Sequence, residues 1–239
     1  MWCKTSPILI SFIVIAVSGG FNGQMSKYET TNGQYCQFLN AALASGDIIV
    51  DANDVVGAAG SNSGADFVDE IYYNLVGSGL AHDGATNGGA ARINYSGISF
   101  TVDSGFADHP VTYVTWYGAT AFCSYYGYQL PTEWEWQAVA DYNGSFNYGC
   151  GTSINNSIAN YLNSTHPDGT TDVGSFGTYG YGMCDMAGNV WEWTSTVDAI
   201  SRVVRGGSWR HQRVNCEVWH WSGVDPYYES SSIGFRVCR

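Results

Sequence analysis

The chain is short of charge, above all of positive charge. Only 13% of its 239 residues are charged, and 9 Lys and Arg stand against 21 Asp and Glu, for a net charge of −12. Nucleic-acid binding draws on a basic face that neutralises phosphates, so the balance argues against that partner. It argues equally against an anionic membrane surface. It suits cation binding or plain solubility. Long apolar runs are missing too. The run from Ile8 to Val17 falls well short of the roughly 20 residues of a membrane span. No CxxC pair occurs, which makes a zinc ribbon a poor reading. Low-complexity linkers and sustained repeats are also absent, so the length fits one domain.

What is abundant is aromatic and flexible. Aromatics make up 15% of the chain and glycines number 30, a composition for loops held by rigid anchors. At the start, Lys4, the apolar run Ile8 to Val17 and the small residues Ser18, Gly19 and Gly20 have the order of an export signal. This predicts a signal peptide over 1–20, a domain over 21–239, a secreted or extracytoplasmic location and no stable membrane insertion after cleavage. Cys3 lies in the signal. The six cysteines that remain are an even set, as expected of disulfides in an exported chain. Asn94, Asn143, Asn155 and Asn163 head N-x-Ser/Thr tripeptides, which matter only where the cell glycosylates.

Three helix starts and stops are readable. Thr31 is placed to cap a helix from about Asn32, with Tyr35, Phe38, Leu39 and Leu43 at helical spacing. A second helix spans Tyr117 to Tyr126 with Gly127 as its stop. Thr132 and Glu135 form the capping box of a third. Short strands are expected at Ile71–Leu75, Ile98–Val102, Arg202–Arg205 and Gly234–Cys238, with loop over most of 45–108.

The densest motif is DMAGNVWEW at 185–193, followed by RGGSW at 205–209 and GFR at 234–236. Its Gly188, its polar Asp185, Asn189 and Glu192 and its two indoles do not read as an ordinary helix or strand. With KYETTNGQYCQFLN near the start and HPVTYVTWYGATAFCSYYGYQLPTEWEWQAVA in the middle, these blocks resemble, in order and spacing, the formylglycine-generating-enzyme or sulfatase-modifying-factor family. The resemblance covers about residues 26–239. It implies an α+β fold: an irregular, loop-rich, C-type-lectin-like fold with few short helices and short antiparallel strands.

The resemblance also implies sites. Structural calcium would take Asp185, Gly188, Val190 and Glu192, with a second set at Asn160, Tyr161 and Asp168; such oxygen ligands suit a hard cation. Active relatives oxidise a substrate cysteine with copper held by two cysteines. The matching positions here are His211 and Cys216, so one thiolate becomes an imidazole, while Ser208 and Trp191 fit the surrounding pocket. Cys123 matches a cysteine that in relatives bonds one near the C-terminus, here Cys238. The stretch after RGGSW offers Trp209, His211, Trp219, His220, Trp221, Tyr227 and Tyr228 as a ligand face. The favoured function is a calcium-stabilised binding or assembly module with a protein, peptide or glycan ligand, or self-association. The alternatives are a copper oxidase making formylglycine in an exported protein, and a structural subunit of a surface layer or filament.

Overall fold

A computed structural model describes residues 8–17, 20–60, 67–76, 90–162 and 169–239. Cys3, Lys4, Ser18, Gly19, Asn163 and Asp168 lie outside the described residues.

The helices stand where their caps put them. Helix α1 is Asn32–Ser45, with Thr31 accepting from Gln34 N–H and Gln34 reaching back to Thr31 N–H. Helix α2 is Trp116–Tyr126, capped by Thr115 and ended by Gly127 at φ 73°. Helix α3 is Glu133–Ala140, opened by the Thr132–Glu135 capping box. Each cap answers backbone N–H groups that a helix start leaves without partners. The apolar sides of α1 and α2 meet over Tyr35, Phe38 and Phe122, whose rings pack edge-on and stacked at 5.3–5.9 Å.

Strands are more numerous than the sequence reading allowed. They run β1 (Phe12–Ala16), β2 (Asn22–Ser26), β3 (Ile48–Asp51), β4 (Asp54–Gly57), β5 (Ile71–Asn74), β6 (Ile93–Tyr95), β7 (Phe100–Val102), β8 (Trp191–Asp198), β9 (Ser201–Arg205), β10 (Trp221–Val224) and β11 (Ile233–Gly234). The main sheet has the order β10-β9-β8-β11, antiparallel except for the β8/β11 pair. A second sheet is β3-β4-β5, with β1-β2 and β6-β7 as separate pairs. Three expectations are corrected here. The stretch 45–108 carries β3, β4 and β6 as well as the two expected strands. The DMAGNVWEW run is irregular only in its first half; from Trp191 it enters β8. The last expected strand is just Ile233–Gly234, and Cys238 makes isolated bridges to Met25 and Gln129.

The apolar segment read as an export signal forms β1 here. It pairs with β2 from Phe12↔Ser26 to Ala16↔Asn22. Ile8 and Ile15 are buried in two different core clusters. No helix of the described residues is long and apolar enough to cross a membrane.

Candidate functional site

Two adjoining regions grow out of the main sheet. The first is the turn before β8. Asp185, Gly188 and Asn189 all adopt positive φ, at 56°, 82° and 60°. A Cβ on Gly188 would lie 2.2 Å from the Asn160 carbonyl oxygen, so only glycine fits. Asn189 is the hub. Its amide donates to Glu29 Oε2 at 2.7 Å, and its Oδ1 accepts from Thr171 N–H at 3.0 Å and from Asn160 Nδ2 at 3.3 Å. Its backbone N–H donates to Asn160 O at 2.7 Å, and its carbonyl accepts from Trp209 N–H at 2.9 Å.

Glu192 lies beneath this hub with no solvent exposure. Arg236 of the GFR block grips it through Nε and Nη2 at 2.6 and 2.7 Å, and Trp136 Nε1 donates to Oε2 at 2.7 Å. The same guanidinium donates to the carbonyls of Ser26 at 3.1 Å and Cys184 at 3.0 Å. Glu29 and Asp185 are buried nearby. Burial, then the charges of Asp185 and Glu192, push Glu29 well above the ordinary carboxylate range. Burial lifts Asp185 to about 6.

In the first calcium set, Asp185 and Glu192 already accept hydrogen bonds within the fold. Both oxygens of Glu192 are taken by a bidentate guanidinium, and Asp185 Oδ2 accepts Gly174 N–H at 2.6 Å. A cation that prefers several bare oxygens is poorly served by that donor set. The second set loses Asp168 to the undescribed residues. Asn160 gives amide hydrogens to Gly169 O at 3.1 Å and to Asn189 Oδ1, so its part suited to a cation is Oδ1.

The second region is a cleft of about 150 Å³ beside β9 and β10. Trp191 forms part of its lining, with Arg210, His211, Asn215, His220 and Tyr228, and Ser222, Ser230 and Ser232 supply hydroxyls. The RGGSW block sets this wall. Gly206 and Gly207 take φ 97° and 74°, turning the chain so that Ser208 and His211 meet. Ser208 Oγ is 2.6 Å from His211 Nδ1, and Trp191 Nε1 is 3.2 Å from the same nitrogen. An indole N–H only donates, so Nδ1 is an acceptor and the hydrogen of the neutral ring sits on Nε2. His220 Nε2 pairs with Asn215 Nδ2 at 3.1 Å, and burial holds its pKa below the usual imidazole value.

Trp191, Ser208 and His211 are therefore brought together, but Cys216 is not with them. It is fully buried, does not line the cleft, and packs with Cys150, Ala159 and Ala187. Burial, then the Cys150 charge, raises its thiol to about 12. A copper ligand must be a thiolate or an open imidazole nitrogen. His211 Nδ1 is engaged by Ser208 and Trp191, and Cys216 does not line the cleft, so the two are not presented together as open ligands. Among the described residues no group of three or more His, Cys, Asp or Glu is placed to hold a metal ion.

The aromatic ligand set divides. Trp209 is corrected to a core residue, buried with its Nε1 on Ser231 O at 3.0 Å. Trp219, Trp221 and Tyr227 are 60%, 47% and 51% exposed. Trp221 alternates with Ser222, which faces the cleft, as neighbours on a strand must. Tyr227 leans on Tyr117 at 4.8 Å and reaches Glu70. His211, His220 and Tyr228 line the cleft itself. Arg210, Asn215 and the serines were missed because no motif marks them. Glu29 and Arg236 were missed as partners although both stand in recognised blocks. Cys123 and Cys238 are buried thiols here, with no bond between them.

A family profile described as the sulfatase-modifying factor enzyme 1-like domain matches residues 20–239. The chain belongs to that family. Its similarity to Serine/threonine-protein kinase pkn1 of Chlamydia caviae is 33% identity, over 62% of this chain and 27% of the kinase. With the formylglycine-generating enzyme of Mus musculus it is 27%, over 54% and 44% of the two chains. With inactive Cα-formylglycine-generating enzyme 2 of Bos taurus it is 34%, over 54% and 50%. The matched region thus spans about a quarter to a half of these relatives. The crystal structure of CarF shares the fold, with TM-score 0.63, 20% identity and coverage of 97% and 98%. These likenesses agree with an α+β domain of few helices and short strands.

Proposed function

We propose that this chain is a non-oxidising member of its family, exported, whose cleft face binds a protein, peptide or glycan ligand or another copy of the chain. The observation that carries this is the state of the two copper positions. His211 spends Nδ1 on Ser208 and Trp191, and Cys216 is sealed behind the cleft wall with its thiol at about 12. The cleft is supplied instead with neutral donors and acceptors and bordered by exposed Trp219 and Trp221. Rigid aromatics beside hydroxyls and imidazoles are the usual dress of a recognition surface. One of the similar proteins is itself described as inactive, which suits the reading.

Export rests on the apolar run after Lys4, and the intact mass of the native protein tests whether residues 1–20 are kept. Structural calcium is proposed for Asn160, Tyr161 and Asp168; it would brace the loop against the Asn189 hub. A melting temperature that rises with calcium and falls with chelator supports it, and no shift removes it. The decisive test of function is oxygen uptake by the copper-loaded chain with a cysteine peptide, run beside a glycan and peptide binding array. The expected result is no thiol-dependent uptake and array binding that Trp219→Ala or Trp221→Ala weakens. Copper-dependent oxygen consumption would overturn the reading.

A further inference from the structure

The cleft has a charge balance opposite to that of the chain around it. The sequence holds 21 Asp and Glu against 9 Lys and Arg. Yet among the described residues no carboxylate lines the cleft, while Arg210, His211 and His220 all do. The stretch 210–233, which builds most of the lining, contains Glu217, Asp225 and Glu229, and each of these is held elsewhere. Glu217 Oε1 accepts from Tyr148 Oη at 3.5 Å. Asp225 Oδ1 accepts the Tyr227 N–H at 3.0 Å. Glu229 sits between two lining residues, Tyr228 and Ser230, but its own carboxyl is buried within reach of the charge of Asp54. An anion entering the cleft meets a guanidinium and two imidazoles, in a chain whose net charge elsewhere repels it.

The other lining groups suit a sugar. Ser222, Tyr228, Ser230 and Ser232 bring hydroxyls, and a hydroxyl both donates and accepts, as each hydroxyl of a sugar does. Ser230 and Ser232 stand Oγ to Oγ at 3.0 Å, which presents two such groups at a fixed spacing. The indole of Trp191 backs both imidazoles, with ring centroids 5.6 Å from His211 and 6.1 Å from His220. At the rim Trp219 leans on His220 at 6.0 Å and leaves an apolar ring face in solvent. A lining that is mostly side-chain hydroxyl matches a polyol better than it matches a peptide backbone.

We propose that the cleft binds an acidic sugar, one that carries a carboxylate, with the carboxylate at Arg210 and the sugar hydroxyls on the serines. The proposal rests on the reading of the cleft as a binding face and narrows its ligand to an acidic glycan. A guanidinium offers a planar fork of donors that fits the two oxygens of a carboxylate. Arg210 is steadied at the wall by the Trp209 ring, 5.4 Å from its guanidinium carbon. The absence of lining carboxylates among the described residues leaves that cation without a rival anion in the cleft.

The test titrates the full chain with glucuronate, galacturonate and N-acetylneuraminate beside neutral glucose and galactose, followed by calorimetry or NMR. At least one acidic sugar is expected to bind about tenfold tighter than the neutral ones. Arg210→Gln, checked for an unchanged melting temperature, is expected to bring it down to the neutral level. Ser222→Asp adds a carboxylate to the lining without touching Arg210 and is expected to do the same. No binding of any acidic sugar, neutral sugars that bind as tightly, or a preference that survives both substitutions would overturn the proposal. An acidic peptide that binds the cleft tighter than every acidic sugar also overturns it. If a peptide or neutral glycan from the array binds instead, and Trp219→Ala weakens it, this inference falls and the binding face stands. Copper-dependent oxygen uptake with a cysteine peptide removes both.

Discussion

The turn before β8 and the cleft wall after β9 touch each other, yet they are built on opposite principles. In the turn, Glu192, Arg236, Trp136, Asn189 and Glu29 spend their polar atoms on one another and on surrounding backbone, without solvent. In the wall, Trp219 and Trp221 stand in solvent, and hydroxyls and imidazoles face an open space. A saturated buried network fixes geometry and has little left to offer a ligand. A wall with exposed aromatics costs the fold little and is available for recognition. The sequence motif that identifies the family most strongly is therefore its framework, and the less conspicuous stretch behind it lines the cleft.

The contrast is broken most sharply at Arg236. Arg236→Met leaves Glu29, Asp185 and Glu192 buried with their cation gone, and is expected to cost about 3–5 kcal/mol. Denaturant unfolding measures it; a loss under 1 kcal/mol would mean the network is not the frame. Next comes Ile15, which has 1% exposure in β1. Ile15→Ala should cost about 2–5 kcal/mol if β1 belongs to the mature fold. An unchanged stability would show that the domain stands without that strand, as cleavage after Gly20 requires.

Smaller effects lie outside the network, at Glu229 and then on the wall. Burial, then the charge of Asp54, lifts Glu229 to about 7. A carboxyl whose folded pKa is raised contributes stability below its unfolded pKa and loses it as pH rises through the folded value. That window runs from about 4.5, its ordinary value, to about 7. Glu229→Gln should therefore melt a few degrees higher than the parent at pH 8 and show no gain at pH 4. Melting curves at the two pH values check the sign. Smallest of all, Trp219→Ala and Trp221→Ala should each change stability by no more than about 0.5 kcal/mol. A larger loss would place these rings in the framework rather than on a recognition face.

Some of this was legible in the residues and some was not. Thr31 and Thr132 each cap a helix through contacts three residues away, and such local devices can be read along the chain; the Thr115 cap of α2 was not. Strands β3 and β4 escaped because they turn through Ala52 at φ 51°, with no glycine to mark the turn. Trp191 to Thr194 escaped as a strand because β8 is buried on both faces there, which removes the alternation that betrays a strand. At the site, His211 was identified as the residue standing where a thiolate is wanted, but Cys216 gave no sign of which way it faced.

What the sequence determined by itself was the family frame: helix starts and the block order from KYETTNG to GFR. The glycines at 188, 206 and 207 were visible in it, and their backbone requirement is local. What only the tertiary structure decided was partnership. Arg236 is joined to Glu192 across 44 residues, Asn189 to Glu29 across 160, and Cys216 lies with Cys150 instead of facing His211. Local preferences depend on neighbours in the chain. A buried charge or thiol takes whichever partner the fold delivers, because burial without one is costly, and that delivery is set by packing across the whole domain.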